Sequence, residues 1–181
     1  WISSYLDRYI IGGMLGVATT GVYSAVVGLV SRPYALTTSV LTNYFRPLYF
    51  QSMSGTDGGG EYFLVMKRWL LAAILIGLMG CAAFWFLGDW LSRMLLAKDF
   101  RENAPTLMIL FGVSQTFAIA THSADNALLS LRASRRLLVA QVVLAAITLV
   151  LIPAGIAVGG IVGGLLGRIL AELIKLAVIS T

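Results

Sequence analysis

Arg32 stands directly before Pro33 in the middle of a long run of apolar and small residues, and Arg168 stands in a second such run. A guanidinium grips a phosphate through two parallel N–H donors, a geometry that lysine does not reproduce. In hydrocarbon a charged side chain is costly, so it normally faces a bundle interior or a watery cavity. Proline removes a backbone donor and frees a carbonyl, which membrane helices tolerate where protein or water satisfies the group. Together Arg32 and Pro33 predict a kinked helix lining a polar path. Arg168, Glu172 and Lys175 follow one another at steps of four and three, so they share a helix face. Two readings of that face stay open: an internal Arg168–Glu172 ion pair that lets the helix insert, or a binding site for an anion. His122, Asp125 and Asn126 also share a face and could relay a proton or a cation. The plainer alternative is an Asp125 solvated near the membrane edge or paired with Arg132. Asp7-Arg8 reads either as a surface ion pair or as part of a polar path.

The patterns of other chemistries are not visible in the sequence. Gly58-Gly59-Gly60 is followed by no Lys-Ser/Thr and preceded by no strand pattern, so it is not a phosphate loop. There is no nucleophile triad, no pair of catalytic carboxylates and no nucleotide fingerprint. Cys81 is the single cysteine and His122 the single histidine, which leaves little material for a disulfide framework or a metal site. The expectation is a protein that is not an enzyme and needs no cofactor or metal. A net charge of +5 does not indicate nucleic-acid binding here, because the basic residues gather at the ends of apolar segments, as membrane topology requires.

Those segments are what must position the charges. Of 181 residues, 59% are hydrophobic and 12% charged, against about a quarter charged in an ordinary soluble domain. The fold class is all-α and integral to a membrane. Spans are expected near residues 1–11, 17–49, 62–87, 106–131, 137–152 and 156–180, the first of them truncated. Residues 12–16 form a tight uncharged connection, and a second turn is placed at Pro153-Ala154-Gly155. The 17–49 segment would reach about 50 Å as one helix, more than the ~30 Å hydrocarbon core, so it should tilt and kink at Pro33. Trp69, Trp85 and Trp90 are expected near the ends of the third span, at the membrane interface. Residues 90–97 alternate apolar pairs with polar residues and predict a short surface helix. Gly155, Gly159, Gly163 and Gly167 recur every four residues, a stripe that lets a neighbouring helix approach closely. The region from Arg46 to Arg68 and the turn from Arg132 to Arg136 each carry three basic residues and lie two spans apart. The loop from Gly88 to Pro105 carries three, alone on the other side with Asp89, Asp99 and Glu102. The balance places the two arginine-rich regions in the cytoplasm and that loop outside.

The order of these features resembles a known family. Asp7-Arg8-Tyr9-Ile10-Ile11-Gly12, then Leu15-Gly16 and Gly21-Val22-Tyr23-Ser24-Ala25, are similar to the start of the C-terminal half of polysaccharide flippases. Arg46-Pro47, the 90–100 segment, Ala104-Pro105, the Arg132–Arg136 turn and the 152–160 stretch continue the pattern. These are O-antigen and exopolysaccharide-unit transporters of the multidrug/oligosaccharidyl-lipid/polysaccharide exporter superfamily. The resemblance implies twelve helices in two six-helix lobes, of which this chain is the second, with the N-terminal lobe absent from it. It implies residence in the bacterial inner membrane and a role in surface polysaccharide and lipopolysaccharide biosynthesis. The partners would be membrane lipid, the N-terminal lobe and a sugar unit on polyprenyl pyrophosphate, flipped between leaflets. It also implies a cationic central cavity, which Arg32 and Arg168 would supply, with Asp7 and Arg8 nearby. His122, Asp125 and Glu172 would serve any ion or proton coupling. Two alternatives are a cation-coupled multidrug exporter of the same superfamily and a membrane-bound glycosyltransferase or polymerase. The exporter would need acids in the lobe interior, and the enzyme a larger outer loop than Gly88–Pro105.

Overall fold

A computed structural model of the chain describes residues 2–54, 60–101, 103–131 and 133–180. The glycine-rich loop at 55–59, Glu102 and Arg132 lie outside the described residues. The rest is helical: α1 (Ile2–Ser54), α2 (Gly60–Leu95), a short 3-10 turn (Lys98–Phe100), α3 (Ala104–Ser130) and α4 (Ser134–Ser180). All four α-helices are long and apolar enough to cross a membrane, which makes this a multi-pass membrane protein.

Two of the four are not straight. α1 leaves helical geometry at Gly16 (φ 84°, ψ 172°), and α4 does so at Gly159 (φ −140°, ψ 23°) and Gly160 (φ 58°, ψ −143°). Positive φ is open to glycine and strained for other residues. Across each break the chain doubles back into two limbs. A Cβ added to Gly155 would fall on the Gly163 carbonyl, and one added to Gly163 on the Gly155 carbonyl. Residues eight apart in a continuous helix would be separated by about 12 Å. Gly167 meets the Leu151 carbonyl in the same way. In α1, a Cβ on Gly12 would lie 3.3 Å from the Thr20 hydroxyl.

The first break falls inside the expected 12–16 connection. The second does not fall at Pro153-Ala154-Gly155: Pro153 lies within the helix, and the limbs run on either side of Gly159–Gly160. Proline's fixed φ fits a helix and removes one donor only, whereas the positive φ of Gly160 cannot be helical. The glycine stripe is divided accordingly. Gly155 belongs to one limb and Gly163 and Gly167 to the other, while Gly159 sits in the turn with open space around it. Pro33 and Pro47 also lie inside α1, with non-helical backbone at Gly16 alone among its described residues.

α2 runs to Leu95, so residues 90–97 do not form a separate surface helix. Nothing before Leu95 interrupts the backbone, and Gly88 lets the helix come within 3.5–3.6 Å of Pro105 at its Cβ position. The helix ends where Arg101 folds back on it. Arg101 Nε donates to the Leu96 carbonyl (3.0 Å) and Nη2 to the Arg93 carbonyl (2.7 Å). Carbonyls at a helix C-terminus have no intrahelical donor, and the guanidinium supplies one. Trp69 is a further departure: it is buried, stacked on Phe45 (5.5 Å) and tilted against Tyr49 (5.3 Å), while Trp85 and Trp90 are exposed.

α3 lies at the centre and packs against α2, α4 and α1. Its most apolar stretch is 56% buried, against 17–22% for the other three. Its side toward α2 is tightly closed. Gly77 and Gly80 of α2 leave room for Thr116 and for Tyr34 of α1, whose hydroxyl donates to the Gly77 carbonyl (3.1 Å). Its other side faces a cavity.

Candidate functional site

The cavity, of about 440 Å³, lies between α1, α3 and both limbs of α4. Each element brings charge to it. The first limb of α1 contributes Asp7 and Arg8, α3 contributes His122 and Asp125, and the second limb of α4 contributes Arg168, Glu172 and Lys175. Steps of four and three along α4 put these last three on one face, so one helix supplies successive rungs of charge.

Asp7, 3% exposed, accepts three hydrogen bonds. Its Oδ1 accepts the Arg8 backbone N–H (2.8 Å). Its Oδ2 accepts from the Tyr23 hydroxyl and from Arg168 Nη1, which forms an ion pair with it. The doubling back at Gly16 makes the Tyr23 contact possible, because Asp7 and Tyr23 stand nearly equidistant from the break. The Arg168 guanidinium also lies 5.0 Å from the centre of the Phe111 ring, within the range of a cation–π contact.

A second ion pair closes the other end. Lys175 Nζ donates to Asp125 Oδ2 (2.9 Å), and Gln141 Nε2 donates to the same oxygen (3.1 Å). Asp125 Oδ1 is buried with no hydrogen-bond partner among the described residues. Glu172 stands between the pairs. Its Oε2 accepts from the Thr121 hydroxyl (3.3 Å), and it has no ion-pair partner among the described residues.

The partners differ from those that spacing predicts. Arg168 pairs with Asp7 and not with Glu172, four residues along its own helix. Asp125 pairs with Lys175, and Asp7 forms an ion pair with Arg168 from the far part of the chain. Buried side chains bond across helices when the fold brings a better-placed partner than the same face offers. Of the face His122–Asp125–Asn126, the first two line the cavity, whereas the Asn126 amide donates to the His122 carbonyl (2.9 Å) on its own helix. Arg32 is exposed and does not line the cavity, although its neighbour Ser31 does. The cavity lining is therefore not cationic: Asp7, Asp125 and Glu172 face Arg8, Arg168 and Lys175, with His122 beside them.

Spacing did not single out Tyr23, Thr121 or Gln141. Tyr23 becomes visible once the break is placed at Gly16. Gln141 is one of two polar residues in an otherwise apolar stretch, and the other, Thr148, also lines the cavity. Among the described residues no three His, Cys, Asp or Glu side chains converge to hold a metal ion. Compared with protein-family models, curated proteins and solved structures, the chain matches none.

Proposed function

We propose that this protein is a membrane transporter and that the charged cavity is part of its polar pathway. The observation that carries the proposal is the gathering of seven ionisable side chains around one cavity in a bundle of membrane-length helices. Charge inside a membrane is expensive and usually marks a substrate or ion route. For the cargo we adopt the class that the sequence resemblance implies: a sugar unit on a polyprenyl pyrophosphate, flipped across a bacterial inner membrane for surface polysaccharide synthesis. In this reading the chain is one lobe of a two-lobed, twelve-helix protein, and its six spans are the limbs of α1 and α4 together with α2 and α3. The arginine-rich regions face the cytoplasm. Arg168 and Arg8 meet the diphosphate within the lobe, and Arg32, exposed on α1, meets it from the facing side. The breaks at Gly16 and Gly159–Gly160 support the six-span count. Glu172 favours a second reading, a cation-coupled exporter, because it faces the cavity with a hydroxyl partner and no ion-pair partner among the described residues.

The test separates anion binding from self-neutralisation of the Asp7–Arg168 pair. Surface polysaccharide and protein abundance are measured in cells carrying the full-length protein with Asp7→Asn, Arg168→Gln or both. Removing one partner leaves a buried charge uncompensated, so each single variant should fall in abundance. The double variant should regain abundance and still fail to export, with lipid-linked precursor accumulating in the membrane. Normal export by the double variant would overturn the role of Arg168. A deletion that leaves surface polysaccharide and precursor unchanged would overturn the cargo class.

A further inference from the structure

A second polar surface adjoins the charged cavity and differs from it in chemistry. It is a groove of about 480 Å³ running along the second limb of α1. Ser31, Ala35, Thr38, Ser39 and Thr42 line it at helical spacing, with Asn43 beyond them. Ser31, Gln115 and His122 line both the groove and the charged cavity, so the two adjoin across these side chains. No Asp, Glu, Lys or Arg lines the groove; Arg32 follows Ser31 at one end of it, and Arg46 lines the next depression together with Thr42 and Asn43.

The hydrogen bonding of these side chains separates two groups. Thr38 donates to the Tyr34 carbonyl (2.8 Å) and Thr42 to the Thr38 carbonyl (2.7 Å). That is how a hydroxyl is commonly accommodated in a membrane helix, and it leaves the oxygen lone pairs free to accept. Ser31, Ser39, Asn43 and Gln115 make no hydrogen bond among the described residues, and Ser39 and Asn43 are exposed. Polar side chains of a membrane protein are normally satisfied by protein or water, so amides and hydroxyls with no partner on their own helix face a polar medium. This face is built to meet something polar.

We propose that the groove holds the glycan of the cargo, separately from its charged head group. The inference rests on the transporter reading above and assigns a site within it. A neutral oligosaccharide presents many hydroxyls that both donate and accept, matching two amides, two uncommitted serines and two threonine acceptors. A diphosphate finds no lysine or arginine in the groove, and a metal finds no carboxylate; His122 is its one titratable imidazole, at the border with the charged cavity. The groove reads neutral sugar, and the adjoining cavity handles charge.

The test uses full-length protein carrying Cys81→Ala with Ser39→Cys or, separately, Asn43→Cys, reconstituted in liposomes. Two probes are compared: lipid-linked oligosaccharide extracted from membranes of cells that make the protein, and bare polyprenyl diphosphate. A water-soluble maleimide should label both positions. The glycan-bearing lipid should slow labelling at least about tenfold, and the bare lipid should not. Ser39→Ala with Asn43→Ala should weaken binding of the glycan-bearing lipid about tenfold, as expected for two lost hydrogen bonds, and leave the bare lipid within about twofold. Failure of the maleimide to reach either position means the groove faces lipid, which overturns the proposal. Equal protection by both lipids, or binding of the glycan-bearing lipid without protection, overturns it as well and leaves the transporter reading standing. If the unmodified protein binds neither lipid, the cargo assignment falls and the glycan site falls with it.

Discussion

α3 presents two unlike sides, and the contrast shows how this bundle divides its work. Toward α2 the contact is closed by subtraction: Gly77, Gly80 and Gly112 lack the side chains that would keep Tyr34, Cys81 and Thr116 away. The small polar groups there are absorbed locally, with Thr116 donating to the Gly112 carbonyl (2.9 Å) and Tyr34 to Gly77. Toward α4 the same helix is held off a cavity by charged groups that fix one another, Asp125 by Lys175 and Gln141. The closed side depends on shape, so volume errors should break it. The open side depends on charge balance, so unpaired charges should break it and neutral pairs should mend it.

The largest expected effect is on the open side. Lys175→Met strands the buried Asp125 carboxylate and should destabilise the protein by about 3–5 kcal/mol, with Asp125→Leu in the same protein restoring most of that loss. Denaturant unfolding in detergent micelles reads both. If Lys175→Met is tolerated, the pair is not what organises that side, and the contrast fails.

A smaller effect belongs to the seam. Gly77→Ala puts a methyl 2.6 Å from the Thr116 hydroxyl, which is already committed to Gly112. Overpacking of this kind should cost about 1–3 kcal/mol. Gly28→Ala is the internal control: its Cβ meets nothing within 4 Å, so helix propensity alone should stabilise by about 0.5–1 kcal/mol. Equal behaviour of the two variants in thermal unfolding would show that the seam is not closely packed.

The smallest effect sharpens the contrast. Thr121→Val removes the donor to Glu172 without changing charge balance. Interhelical hydrogen bonds in membranes average about 0.6 kcal/mol, and the loss should be of that size. A loss several times larger would give Glu172 a structural role and weaken its candidacy as an ion site.

Much of this architecture was legible from composition and punctuation, and the rest was not, for identifiable reasons. Long apolar runs locate the membrane helices because length and apolarity are local properties. The break at Gly16 lies inside a glycine-broken stretch that reads as a connection. The second break was misplaced because Pro153 and Gly155 are as strong a local signal as Gly159-Gly160, and only backbone conformation tells them apart. Which residues carry charge into the membrane was readable one by one. Which charges meet was not: Asp7 and Arg168 come together from opposite ends of the chain, while Glu172 lies invitingly one turn from Arg168. Spacing reports neighbours on a face and is silent about neighbours across a cavity.

The reversal at Gly159–Gly160 also bears on how the protein is made. The residues around it, Ala157-Val158-Gly159-Gly160-Ile161, contain no polar side chain, and Val158 is 92% exposed. A nascent chain emerging here offers the insertion machinery no hydrophilic connector to retain in either compartment. The two limbs of α4 are thus expected to leave the translocon as a single preformed hairpin, with Arg135 and Arg136 at its open base as its nearest topological anchor. Its backbone-to-backbone contacts at Gly155 and Gly163 require no partner from α1, α2 or α3. This hairpin can thus be folded before the rest of the bundle closes around it.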